Sequence, residues 1–356
     1  MSRPGRQGTP EETRPRWYWI VFRVAVSSAL LGGLLASLPR QTLWAAIGQI
    51  SSFQWLIGLA GFLAGHLLGV LKWRVVLGVS QVRLPWADAT RCYCAGLFAN
   101  FFLPSIVGGD VLRAVLAMRV AGRKEAVVVG SLLDRLIDVL ALTLLVACGW
   151  LVTPVALGLR GGGILAAVAS GLGVLMLTTL LLVRTRPPSR WSGRARRRIA
   201  RARVAMRGVA RRTHLAGLGL GVAVGIQASF VLLNAFLGAA IGLQAPLHVW
   251  FLAWPLAKLV ALLPVSLGGL GVREVALAGL LQPFGVPAAL AVAQSLLWET
   301  ILVAGGLTAG LIWWGMGWVG RHGWIRWQEA ATCSPRGLIG GREPGRAPAR
   351  FPPAAP

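Results

Sequence analysis

The chain has 356 residues, of which 56% are hydrophobic and only 13% charged, too few polar side chains to coat a soluble globule of this length. Its net charge of +25 comes from 36 basic residues against 11 acids, and the bases sit mainly in loops and tails between apolar runs, which argues for a membrane and against nucleic acid. Cys92, Cys94, Cys148 and Cys333 show neither zinc spacing nor a disulfide framework, and the four histidines are scattered, so no metal and no cofactor is expected.

In chain order, a polar tail over 1–16 leads into an apolar segment without a small-residue cleavage site, which predicts a retained anchor. Six segments, at about 17–38, 54–71, 125–152, 162–183, 215–241 and 286–314, are apolar and long enough to cross ~30 Å of hydrocarbon as helices. Two further stretches, about 86–121 and 247–281, are broken by Pro and Gly near their middles. Loop charge sets the orientation. Arg3, Arg6, Arg14 and Arg16 place the N-terminus in the cytoplasm. Lys72, Arg74, Arg83 and Arg91 follow the second crossing and Arg119, Arg123 and Lys124 precede the third, so both clusters lie inside and 86–121 must enter and return. The loop 184–212 holds twelve arginines and is cytoplasmic too; within it Ala195, Ile199, Ala202, Met206 and Val209 recur at helical spacing, which fits a helix lying on an anionic leaflet, with a disordered positive-inside loop the alternative. The segment 247–281 then dips in from outside, and a cytoplasmic, disordered tail fills 319–356. The fold class is an all-α polytopic membrane protein of about eight membrane helices, six full spans plus two re-entrant hairpins, with both termini cytoplasmic. The arginine-rich composition suits a bacterial inner membrane. Eight simple crossings are the alternative.

The two broken segments are copies of one pattern. Leu103, Pro104, Gly108, Gly109 and Arg113 in the first recur as Leu263, Pro264, Gly268, Gly269 and Arg273 in the second, at an offset of 160. Downstream, Ser131-Leu-Leu-Asp134-Arg135-Leu-Ile137 matches Ser295-Leu-Leu-Trp298-Glu299-Thr-Ile301 at an offset of 164. With the charge-derived orientation, the repeat is inverted, with halves at about 54–152 and 215–314. Pro104 and Pro264 remove a backbone donor, and Gly108, Gly109, Gly268, Gly269 and Gly271 permit unusual backbone, so each hairpin is expected to break there. Paired breaks in the halves of an inverted repeat mark a transporter's substrate site.

Five of the acids fall in the apolar region, Asp110, Asp134, Asp138, Glu274 and Glu299, together with Arg113, Arg135, Lys258 and Arg273. Each costs roughly 2.5–3.5 kcal/mol at a helix centre, so they need partners. Asp110 and Arg113 share a helix face. Asp134 and Asp138 are four apart and need a cation between them, with Arg113 and Arg273 the candidates. Arg273 and Glu274 are neighbours in sequence and are expected to face different ways. The two arginines also have the planar fork that binds phosphate oxygens in pairs.

At these residues the chain resembles the lysylphosphatidylglycerol synthase transmembrane-region family of flippase-like membrane proteins. The resemblance is carried by Asn100-Phe-Phe-Leu-Pro104 through Gly108-Gly109-Asp110 and Arg113, by Asp134-Arg135 with Asp138, and by Pro264 through Gly268-Gly269-Leu-Gly271-Val-Arg273-Glu274. It covers about 20–315 and implies a flippase-like domain over 17–318 that handles an anionic or polyprenyl-phosphate-linked lipid, with Arg113, Arg273 and Asn100 at the headgroup. The family often has an arginine where this chain has Trp298-Glu299. Relatives that aminoacylate lipid carry a large soluble domain, whereas about forty residues follow the last apolar run here, so the chain is expected not to be an enzyme. Membrane lipids and a separately encoded lipid-modifying enzyme are the partners this implies. A scaffold for envelope lipid or glycan synthesis, or a membrane-embedded transferase using the paired acids as general base, are the other readings.

Overall fold

The computed structural model describes residues 17–100, 108–153, 211–262 and 268–332, with single positions 200, 201, 204, 208 and 266 between them. They form ten α-helices and one 3-10 turn, and the described residues include no strand: α1 Trp17–Ser37, α2 Arg40–Gly48, α3 Ser52–Val79, α4 Trp86–Ala99, α5 Gly108–Ala121, α6 Lys124–Val152, α7 Thr213–Ala240, α8 Leu247–Ala261, α9 Val272–Leu281, the turn Gln282–Phe284, and α10 Ala288–Thr332. Among the described residues four helices, α3, α6, α7 and α10, are long and apolar enough to cross a membrane. This is an all-α, multi-pass membrane fold. The expected crossing at 17–38 is α1. That at 162–183 lies outside the described residues, as do Pro104, Pro264 and the tail 1–16.

Two boundaries differ from expectation. The helix α3 runs about two turns past residue 71, so Lys72 and Arg74 are helical rather than loop residues, and Lys72 is 4% exposed. Loop-charge reasoning misplaced Lys72 because its ammonium is held by carboxylates from another helix. At the other end α10 continues to Thr332, where a disordered tail was expected from 319. No proline interrupts the sequence between Pro287 and Pro335, so nothing there breaks the backbone ladder. The chain divides into a unit Met1–Trp314 and a unit Gly315–Pro356, whose described part is helical.

The broken segments are built from short arms. α4 and α5 have 14 residues each, and α8 and α9 have 15 and 10. At 1.5 Å per residue these are about 15–22 Å long, short of the ~30 Å of hydrocarbon. α4 packs on α5, and α8 on α9. The first pair meets through glycine: a Cβ on Gly96 would stand 2.7 Å from the Gly109 carbonyl, and one on Gly109 would run into the Gly96 carbonyl and Asn100. Small residues let helix backbones approach in a membrane, where apolar surface alone gives no drive to associate.

The repeat extends beyond its motifs. Helices starting at 52, 86, 108 and 124 recur at 213, 247, 272 and 288, offsets of 161, 161, 164 and 164. The turn from α3 to α4 is reproduced from α7 to α8. Gln81 has φ 61° and Gly242 φ 79°. Val82 N–H bonds the Leu77 carbonyl at 3.0 Å, as Leu243 N–H bonds Gly238 at 2.9 Å, the six-to-one bond of a Schellman cap. Pro85 and Pro246 then open the next helix. Side-chain volume is exchanged between copies: Leu77 and Ala89 become Gly238 and Trp250, and the Trp250 ring lies against Gly238.

One part of the motif folds two ways. Gly108 and Gly109 begin α5, so Arg113 is its sixth residue. Gly268, Gly269 and Gly271 stand outside the helix at φ 62°, 86° and 81°, and α9 begins only at Val272, with Arg273 its second residue. The four-residue change of offset is taken up here.

Candidate functional site

Two networks of charged side chains flank the centre of the bundle. In the first, Lys72 from α3 lies between Asp134 and Asp138 of α6, with Nζ 3.0 Å from Asp134 Oδ1 and also bonded to Asp138 Oδ1. Arg113 from α5 donates to Asp134 Oδ2 at 2.8 Å and lies 3.2 Å from Asp110 Oδ1. Arg135 pairs with the other Asp110 oxygen. Three cations thus meet three carboxylates, which answers the desolvation of groups as buried as Asp134 at 0% exposure. The cation shared by Asp134 and Asp138 is Lys72, and neither Arg113 nor Arg273 takes that place. The Arg113 guanidinium also lies over Trp73 and Tyr93, 4.7 and 5.1 Å from their ring centres.

The second network is smaller. Arg273 Nη2 donates to Glu274 Oε1 at 2.8 Å and Glu299 Oε2 at 2.6 Å. Contrary to expectation, the neighbours Arg273 and Glu274 do face each other, because Glu274 turns back to its own helix start. Its Oε2 accepts the Gly271 N–H at 2.6 Å, and Ser295 Oγ donates to Oε1 at 3.3 Å. The anion that the α9 N-terminus favours is therefore the chain's own carboxylate.

Between the networks lies a cavity of about 360 Å³. Half of its lining comes in equivalent pairs from the two halves. His66 and Gln227, Leu97 and Lys258, and Asn100 and Ala261 are related by 161, and Arg135 and Glu299, and Asp138 and Leu302, by 164. A chamber built this way lies where the two copies meet. One side is aromatic: Phe62, Phe230, Trp254 and Trp298 touch edge or face, with ring centres 5.4–6.0 Å apart.

Of the residues expected at a headgroup, Asn100 and Arg273 line this cavity and Arg113 does not; it lies behind the wall, 5% exposed among its carboxylates. Asn100 also accepts the Gly109 N–H at 3.0 Å, so it fixes the start of α5. Arg135, Asp138, Lys258, Gly268 and Glu299 line the cavity too. Lys258 differs from the other cations. Its Nζ donates to Gln227 Oε1 at 2.9 Å and lies 5.4 Å from the Phe230 ring centre, and among the described residues no carboxylate pairs with it. His66, bonded to Tyr93 Oη at 3.1 Å, and Gln227 were not singled out from sequence. A polar side chain inside an apolar helical run was their available signal.

The chain matches the family model described as the lysylphosphatidylglycerol synthase TM region over residues 20–310. No curated protein and no solved structure matches it. The matched residues include both charge networks, both broken segments and the cavity, and the chain belongs to the lysylphosphatidylglycerol synthase transmembrane-region family.

Proposed function

We propose that this protein moves a lipid with an anionic headgroup, a phospholipid or a polyprenyl-phosphate-linked lipid, between the leaflets of a bacterial inner membrane. The observation that carries this reading is the cavity lined by equivalent positions of two halves, with Lys258 as a cation that forms no ion pair among the described residues. Membership of a family named for a lipid synthase supports it. A chamber of about 360 Å³ takes a headgroup and leaves the acyl or prenyl chains in the bilayer. Lys258 and Arg273 serve the phosphate, Asn100, Gln227 and His66 serve the rest of the headgroup, and Arg135, Asp138 and Glu299 balance the charge of the empty chamber. Arg113, Asp110, Asp134 and Glu274 hold the walls.

In this reading the two hairpins enter from opposite faces, six helices cross completely, and both termini are cytoplasmic. Access to the chamber then alternates as one half rocks against the other. The reading is tested with purified protein in liposomes, following labelled lipids between leaflets. Exchange of an intact anionic lipid supports it. A chemically altered lipid would mean a transferase, and inertness towards every lipid a scaffold.

A further inference from the structure

The repeat gives meaning to a surface that no motif marks. At the turn after α3, three backbone carbonyls each accept from an arginine: Gly78 from Arg212 Nη1 at 2.9 Å, Gln81 from Arg123 Nη1 at 2.9 Å, and Leu84 from Arg74 Nε at 3.0 Å. The Arg74 guanidinium also lies over Trp86, 3.8 Å from the ring centre. The negative end of the α3 dipole is thus covered by guanidinium groups.

The counterparts of Gly78, Gln81 and Leu84 at the offset of 161 are Ala239, Gly242 and Ala245, and all three line an open pocket of about 330 Å³. The turn has the same hydrogen bonds and the same left-handed residue, so its carbonyls are presented alike. The residues that would fill it have changed. Arg74 corresponds to Ala235 and Trp86 to Leu247, both in the pocket wall. Among the described residues no side chain donates to these three carbonyls. A methyl built on Gly242 would lie 3.6 Å from Gln49 Oε1, a further acceptor beside them. Among the described residues no acid and no base lines the pocket. Its polar groups are the backbone of a helix C-terminus and the Gln244 amide.

We propose that this pocket is a binding site for a guanidinium or primary-ammonium cation, which occupies the place that arginine side chains occupy in the other half. A planar guanidinium offers several donors and is weakly hydrated, so it suits a ring of neutral carbonyls. In the proposed topology this turn faces away from the cytoplasm. There the positive-inside rule disfavours an arginine of the chain itself, and the cation comes from outside. The site is separate from the lipid chamber; it rests on the topology of the proposed reading and not on lipid transport.

Agmatine is the probe, with tetramethylammonium, which has no N–H, as control at equal ionic strength. Purified full-length protein should bind radiolabelled agmatine saturably, and its Tm should rise with agmatine and not with tetramethylammonium. A Gln244→Cys variant, with Cys148 and Cys333 replaced by Ser, should react with maleimide several-fold more slowly when agmatine is present, because Gln244 lines this pocket. Ala235→Arg should supply the missing guanidinium, raise the ligand-free Tm and lose agmatine binding; Ala235→Leu should lose binding without the rise. Equal responses to the two cations, or unchanged labelling of Gln244→Cys in saturating agmatine, would overturn the proposal even if neither Ala235 variant folds.

Discussion

Arg135 and Glu299 hold the same position in the two halves of the molecule, both line the cavity, and they carry opposite charges. Each is occupied on its own side, Arg135 with Asp110 and Glu299 with Arg273. No ion pair between described residues spans the chamber. Exchanging both charges, Arg135→Glu with Glu299→Arg, would set like against like in each wall, beside Asp110 and Arg273. That double variant is expected to fold less well than either single amide variant, Glu299→Gln in particular, as read by yield of monodisperse protein. A double variant as stable as wild type would show that these pairs do not hold the walls.

Topology can be read at the two matching turns. Arg83 and Gln244 are both exposed and are related by the offset of 161. Single cysteines there should label from opposite faces of the membrane, Gln244→Cys from outside and Arg83→Cys from the cytoplasm. Labelling of both from one face is the outcome that eliminates the inverted arrangement.

Asp134→Ala leaves Lys72 and Arg113 facing each other without their shared carboxylate. Breaking a buried pair on one side costs about 3–5 kcal/mol, so little folded protein should be recovered and its Tm should fall sharply. Asp134→Asn keeps the volume and should lose less, though it still gives up the charge.

Lys258 gives the opposite signature. Its partner is the neutral Gln227, so Lys258→Gln removes charge without orphaning a carboxylate. The Tm should stay near wild type while exchange of anionic lipid falls at least tenfold, and Lys258→Arg should restore part of it. Unimpaired exchange in Lys258→Gln would be incompatible with a phosphate held at this ammonium.

Arg273 separates grip from structure. In Arg273→Ala the fully buried Glu274 loses its cation, and folded yield should drop. Arg273→Lys can still reach one carboxylate and should fold, but it lacks the planar fork. Normal leaflet exchange in well-folded Arg273→Lys protein would sink a two-pronged hold on phosphate at this residue.

Fold class was legible because a bilayer forces long apolar helices and the two proline–glycine patterns repeat in identity. The charged residues of the centre were legible too, since ionisable groups in apolar runs are few. Their pairing was not. Lys72 looked like a loop residue because charge was used to find the end of α3, and Arg273–Glu274 looked impossible because helical facing was assumed at a helix start, where a carboxylate can turn back to an amide. The turns at Gln81 and Gly242 were invisible for a different reason. From residue 72 to 91 and from 233 to 252 only Pro85 and Pro246 are identical, so the backbone is repeated while the side chains are not.

The glycine motif that folds two ways makes the hairpins mechanically unequal. α5 starts directly at its glycines, and a Cβ-free contact with α4 clamps it there. Ahead of α9 stand three residues in left-handed backbone, a conformation glycine adopts almost without strain, and the helix they introduce has only ten residues. A Cβ on Gly271 would come within 2.8 Å of Leu30 in α1, a helix with no counterpart in the repeat. The second hairpin is therefore expected to be the more compliant arm, pivoting at 268–271 where Gly271 packs against α1. Gly268→Ala, where the space is open but the backbone disfavours a side chain, should then change lipid exchange more than it changes packing around it.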